Sequence, residues 1–184
     1  MGLTVFNSIS YTGLFLLLIC LTGIERVIEL RVGNKNRRWS IKQGGVEFGQ
    51  GHWPWMVTLH SLFLVIMVAE ALVLPTPPPS IWSGMMLFGA LFAQTLRWWC
   101  ICSLGHHWNP RVIIVPGMQR IKTGPYRWLS HPNYIAVAIE GVALPMVHSC
   151  WRTAIGFTLA NALLMVVRIR CENDALRQLD GHES

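Results

Sequence analysis

The sequence predicts an all-α, polytopic membrane protein with about five transmembrane helices. Three observations carry that reading. Of 184 residues, 52% are hydrophobic and only 13% are charged, and the mean hydropathy is +0.41, outside the range of an ordinary soluble domain. The apolar residues fall in runs near the ~20 residues of helix that a hydrocarbon core demands. Lysine and arginine crowd into alternate connections.

Each run can be justified in turn. The first span covers roughly 8–30; its apolar stretch Tyr11–Ile24 is short, so the helix must continue through "ERVIELRV", which puts Glu25 and Glu29 on one face. The linker "GGVEFGQGHWPW" carries Glu47 and His52 beside aromatics and reads either as an interfacial loop with Trp anchors or as part of an acceptor site. Spans at 54–75 and 80–103 are the cleanest, and the Pro-rich "PTPPPS" joins them as a rigid turn. The fourth, 133–149, holds Glu140 and is short, which leaves open a re-entrant hairpin with the fifth, 151–170.

With five spans, nearly all basic residues lie on one side, in "RVIELRVGNKNRRWSIK" and "PRVIIVPGMQRIKTGPYR". The N-terminus is therefore expected outside and the C-terminus in the cytoplasm. Topology accounts for the net charge of +6 better than nucleic-acid binding does. The start "MGLTVFNSIS" has neither a basic signal n-region nor a myristoylation pattern and reads as retained. Five scattered cysteines and the lone His106–His107 pair predict no disulfide framework and no metal site.

Ionisable groups within a bilayer are expensive, so each asks for a partner. The set is Glu25, Glu29, Glu70, Arg97, Glu140 and Arg168. Glu70 and Arg97 lie near helix ends, where snorkelling suffices; Glu140 needs a donor from a neighbouring helix. In "VVRIRCENDALRQLD", the pairs Arg168/Glu172 and Arg170/Asp174 are each four residues apart, and spacing alone reads both as ordinary helix salt bridges. Arg168 and Glu172, however, emerge on the same side as "GPYRWLSHPNY". There Gly124 permits unusual backbone angles, Pro125 and Pro132 fix φ, and a helix starts at the membrane with N–H groups suited to anions. Taken singly, His131 reads as structural and Tyr126 and Tyr134 as interfacial aromatics.

Together, "SLGHHWNPRVIIVPGMQRIKTGPYRWLSHPNY" and, about 35 residues on, "RIRCENDAL" closely resemble the isoprenylcysteine carboxyl methyltransferase family of membrane enzymes. The resemblance rests on Leu104-Gly105, Trp108, Gly117, Gly124-Pro125-Tyr126, His131-Pro132-x-Tyr134, Arg168 and Glu172. Met118 stands where the family often has His, and Ser130 where Arg commonly precedes His-Pro. The upstream stretch from Gly23 to His60 is similar to the bacterial branch found beside type III polyketide synthases, whose members methylate alkylpyrones and related lipids.

This resemblance implies a single methyltransferase domain over 1–184, with a cytosolic cofactor-binding part at about 104–178, acting with S-adenosylmethionine. Gln119, Arg120, Ile121, Gly124, Tyr126, His131, Tyr134 and Glu172 are implied cofactor contacts. Arg168 is implied to face the anionic oxygen of a lipophilic or prenylated acceptor, with Trp108 and Glu140 also on the acceptor side; Arg168 and Glu172 would carry catalysis. A carboxylate or acidic enol is already ionised near neutral pH and needs no general base. Two other functions stay open: phospholipid N-methylation, by enzymes whose C-terminal motifs look similar, and a non-enzymatic membrane scaffold or lipid-binding subunit in which the charged pairs are structural.

Overall fold

The computed structural model describes residues 2–118 and 121–180. Helices α1 (Gly2–Lys42), α2 (Trp53–Val73), α3 (Ile81–Leu104), α4 (Pro132–Met146) and α5 (Trp151–Asp180) follow in order. Two three-residue strands were not foreseen. Strand β1 (Val46–Phe48) lies in the α1–α2 linker and β2 (Val112–Ile114) in the α3–α4 loop; they pair antiparallel with Val46 opposite Ile114.

The helices α2, α3 and α5 are long and apolar enough to cross a membrane. With 15 residues, α4 rises only about 22 Å. It nevertheless ends level with its neighbours. Beyond it, the Tyr11 hydroxyl of α1 donates to the Val147 carbonyl (2.6 Å), while His148 Nε2 lies 3.1 Å from Thr12 Oγ1, itself 2.9 Å from Thr76 in the α2–α3 connection. The α4–α5 turn thus sits beside the α2–α3 turn, so a hairpin that reverses halfway is not what forms. The opposite end gathers the C-terminal half of α1, both strands and the long α3–α4 loop.

Small residues set the helix spacing. Ala93 and Ala136 are fully buried, and α4 packs most extensively on α3, as expected where lipid supplies no hydrophobic drive and close backbone approach must do the work. A Cβ on Gly141 would come 2.6 Å from the Phe157 ring, so only glycine lets α5 lie this near α4. Phe15, Ile19, Phe63, Met67, Leu144 and Phe157 form the main core.

Two expectations need correction. Glu70 does not snorkel: it is buried, and its carboxylate accepts from the backbone N–H groups of Arg152 (3.2 Å) and Thr153 (2.9 Å), capping the first turn of α5. Arg97 does not reach the headgroups either. Buried at 4% exposure, it pairs with Glu140 of α4 and lies 3.6 Å from Glu29 of α1. A residue's place along a helix says how deep it is; the face it presents to α4 decided the outcome.

Candidate functional site

The basic end is built on the α3–α4 loop. A short 3-10 turn, Gly124–Arg127, packs against α3, and Gly124 holds a φ of 56° that a side chain would strain and that Ser103 would obstruct. From that turn Tyr126 packs between Leu96, Cys100 and Ala136. Burial and the neighbouring Cys100 thiol push its hydroxyl above the ordinary tyrosine range, and Tyr134 and Glu172 are close enough to add to the shift. Pro132 then opens α4 at its first position, with the exposed His131 at its cap.

Tyr134 is the joint between loop and helix end. His131 stacks flat on it, with centroids 5.0 Å apart and ring planes within 2°. The Tyr134 hydroxyl donates to Glu172 Oε2 (2.9 Å) and accepts from Arg168 Nε (2.8 Å). The expected i,i+4 salt bridge is therefore not direct; a tyrosine hydroxyl stands between the charges. Arg168 is buried and also donates to the Pro110 carbonyl (2.6 Å), with its guanidinium 5.4 Å from the Tyr134 ring centre. Pro110 is itself fixed: its ring fills the space a side chain would need on Gly33 of α1.

Beneath Arg168 and Tyr134 lies a cavity of about 130 Å³ among α1, α2, α4 and α5. Trp53, Met56, Val57, Leu164 and Met165 give it apolar walls, and Trp108 closes one side. The backbone carbonyl of Trp108 is held by the Asn36 amide (2.8 Å). Glu140 does not line this cavity. It lines a smaller neighbouring one with Arg26, His60 and Phe157, and its carboxylate is engaged by Arg26 (2.9 Å) and Arg97.

The structure thus brings Tyr126, His131, Tyr134, Arg168 and Glu172 together, with Trp108 on the adjoining cavity. Ile121 and Gly124 lie on the loop leading into the cluster; Gln119 and Arg120 fall outside the described residues. Sequence reasoning missed Arg26, His60 and Asn161. Only Arg26 carried a signal, its place between Glu25 and Glu29, where it donates to Glu29 at 2.6 Å. Glu25 and Glu29 do share a face, and both meet α3: Glu25 accepts from Trp98 (3.0 Å) and Gln94.

A helical membrane protein whose loop and final helix converge on one polar cluster, above a cavity with largely apolar walls, has the build of an enzyme working on lipophilic molecules. The model of the isoprenylcysteine carboxyl methyltransferase (ICMT) family matches residues 85–178. The chain is also 39% identical over 165 residues to the uncharacterized protein YpbQ of Bacillus subtilis (strain 168), an alignment covering 90% of this chain and 98% of that protein. No solved structure matches significantly. The chain belongs to the isoprenylcysteine carboxyl methyltransferase family and is an integral membrane methyltransferase.

Proposed function

We propose that the protein transfers a methyl group from S-adenosylmethionine to a carboxylate or acidic enol or phenol of a lipophilic acceptor, such as an isoprenylcysteine or an alkylpyrone. One observation carries the reading: the Tyr134 hydroxyl links Arg168, which lines the cavity beneath, to Glu172, which lies on the loop side. The two charges thereby face two different ligands across one tyrosine. When bound, S-adenosylmethionine supplies an electrophilic methyl carbon on a sulfonium.

The residues suit such a donor. Glu172 is half-buried and spends one oxygen on Tyr134, leaving the other to accept from an ammonium group. The His131–Tyr134 stack adds aromatic surface of the kind that favours cations. Ile121, Gly124 and Tyr126 complete that wall, with Gln119 and Arg120 assigned from the sequence. The cofactor-binding part is thus residues 104–178 of a single domain, with this end and the C-terminus on the cytosolic side.

On the cavity side, Arg168 holds the acceptor oxyanion, and its bonds to Pro110 and Tyr134 fix the guanidinium so that little reorganisation accompanies reaction. An ionised oxygen has no proton to lose, so no base is needed. A buried cation at this place also disfavours an amine acceptor, whose protonated form it would repel. Arg168→Ala is expected to lower turnover about 10²–10³-fold while leaving titration calorimetry with S-adenosylmethionine nearly unchanged; Glu172→Ala is expected to weaken that binding. Wild-type turnover and binding in both variants would overturn the assignment.

A further inference from the structure

The floor of the cavity is not apolar. Asn161 of α5, 7% exposed, lines it and brings a side-chain amide to the floor. Beside it stands His60 of α2, whose Nδ1 is 2.9 Å from the Met56 carbonyl. A carbonyl only accepts, so Nδ1 carries the proton and the neutral ring keeps a lone pair on Nε2. Glu29 of α1, 8% exposed, also lines the cavity, and its buried Oε1 lacks a hydrogen bond because Arg97 Nε stops at 3.6 Å. Polar groups are costly in a membrane interior unless they are met, yet three helices bring theirs to one space, and Glu29 Oε1 is left without a hydrogen bond.

We infer that this floor is a second recognition site, which binds a neutral hydrogen-bond donor, a hydroxyl or amide N–H, on the body of the acceptor. The donor character follows from Glu29 Oε1 and His60 Nε2, both acceptors. Arg97 Nε, an unpartnered donor on the same cavity, is offset electrostatically by Glu29 Oε1 at 3.6 Å but leaves that oxygen free to accept a shorter bond. Neutrality follows from the nearby charges, since Arg26 and Arg97 balance Glu29 and Glu140. Depth follows from helix geometry. Met56 Sδ lies 3.2 Å from Arg168 Nη1; His60 is one turn below Met56, and Asn161 is seven residues before Arg168. At 1.5 Å per residue, the second group sits about 6–10 Å beneath the oxygen that Arg168 holds.

The inference rests on that reading of Arg168 and specifies the acceptor further. A site built to hydrogen-bond a ligand hydroxyl rejects the analogue without it far more strongly than an apolar pocket discriminates size. Tetradecanoic acid and 7-hydroxytetradecanoic acid serve as matched probes, titrated into detergent-purified protein while following tryptophan fluorescence. The hydroxy acid is expected to bind at least about tenfold more tightly. Asn161→Leu and His60→Phe are expected to bring the two affinities together without weakening the plain acid.

Equal binding of both acids by the wild-type protein, as when the floor holds only water, would overturn the inference, as would binding of neither. So would a preference that survives both substitutions. The wild-type ratio decides even where a variant does not fold. Labelled S-adenosylmethionine added to the same samples tests the methylation reading separately: selective binding without transfer leaves the subsite standing and removes the chemistry.

Discussion

Two charged clusters lie one above the other in this molecule, and they are built on opposite plans. In the interior, Arg26, Glu29, Arg97 and Glu140 meet across α1, α3 and α4 in direct ion pairs, with side chains no more than 15% exposed. At the basic end, Arg168 and Glu172 share a helix face yet are joined only through the Tyr134 hydroxyl. The inner cluster balances its own charge and ties three helices together, with a loose contact where Glu29 Oε1 and Arg97 Nε stand 3.6 Å apart without a hydrogen bond. The outer one leaves capacity on both charges. Proximity of opposite charges thus means less than whether they satisfy each other.

The largest effect expected from this contrast is Arg97→Leu. Removing one partner from a buried ionic network strands the others, and such losses run to about 3–5 kcal/mol. Glu140 would keep only Arg26, and Glu29 would lose its α3 partner. The variant is expected to melt far below the wild type, measured by thermal unfolding in detergent, while any folded fraction keeps its affinity for S-adenosylmethionine. A wild-type melting point would break the distinction between a structural and a functional cluster.

A middle-sized effect is expected from Tyr134→Phe. It deletes one hydroxyl and two charge-assisted hydrogen bonds but keeps the ring that His131 stacks on. Each such bond is worth about 1.5–3 kcal/mol. If Arg168 and Glu172 then closed on each other, turnover would fall about 10–100-fold with little change in melting temperature. A large stability loss with normal turnover would instead put Tyr134 with the inner cluster.

These clusters also mark what was legible in the sequence. Gly124-Pro125-Tyr126, His131-Pro132 and the Arg168/Glu172 spacing could be read because local backbone and helix periodicity determine them. The tyrosine relay could not, since its partners are 34 and 38 residues away and meet only when α4 packs on α5. Arg97 was misread for a related reason: hydropathy locates depth, while the Arg97–Glu140 contact depends on the rotation of α3 and α4. The strands escaped because three residues carry no usable periodicity, and their pairing spans more than sixty positions.

The smallest effect concerns Glu47, a third ionic group that lies outside the membrane helices and acts on the outer cluster from behind. Its carboxylate accepts from Arg37 (2.7 Å) on α1 and Arg111 (2.7 Å) beside β2. Arg111 stacks over the cavity-lining Trp53, its guanidinium carbon 4.5 Å from the ring centre, and follows Pro110, whose carbonyl anchors Arg168. Burial alone would raise the Glu47 carboxyl, but the hydrogen bonds from Arg111 and Arg37 outweigh it and hold it below the ordinary 4.5. A carboxylate depressed on folding stabilises above its ordinary value, and that contribution is lost as pH falls through the lower folded one. Arg37 is 39% exposed, so solvent screens part of the interaction and the loss is expected near 1 kcal/mol. Thermal unfolding from pH 6 to pH 3 should therefore lose slightly more stability in the wild type than in Glu47→Gln, which has no charge to titrate. Parallel curves would mean that the strands, not the ion pairs, hold Pro110 against Arg168.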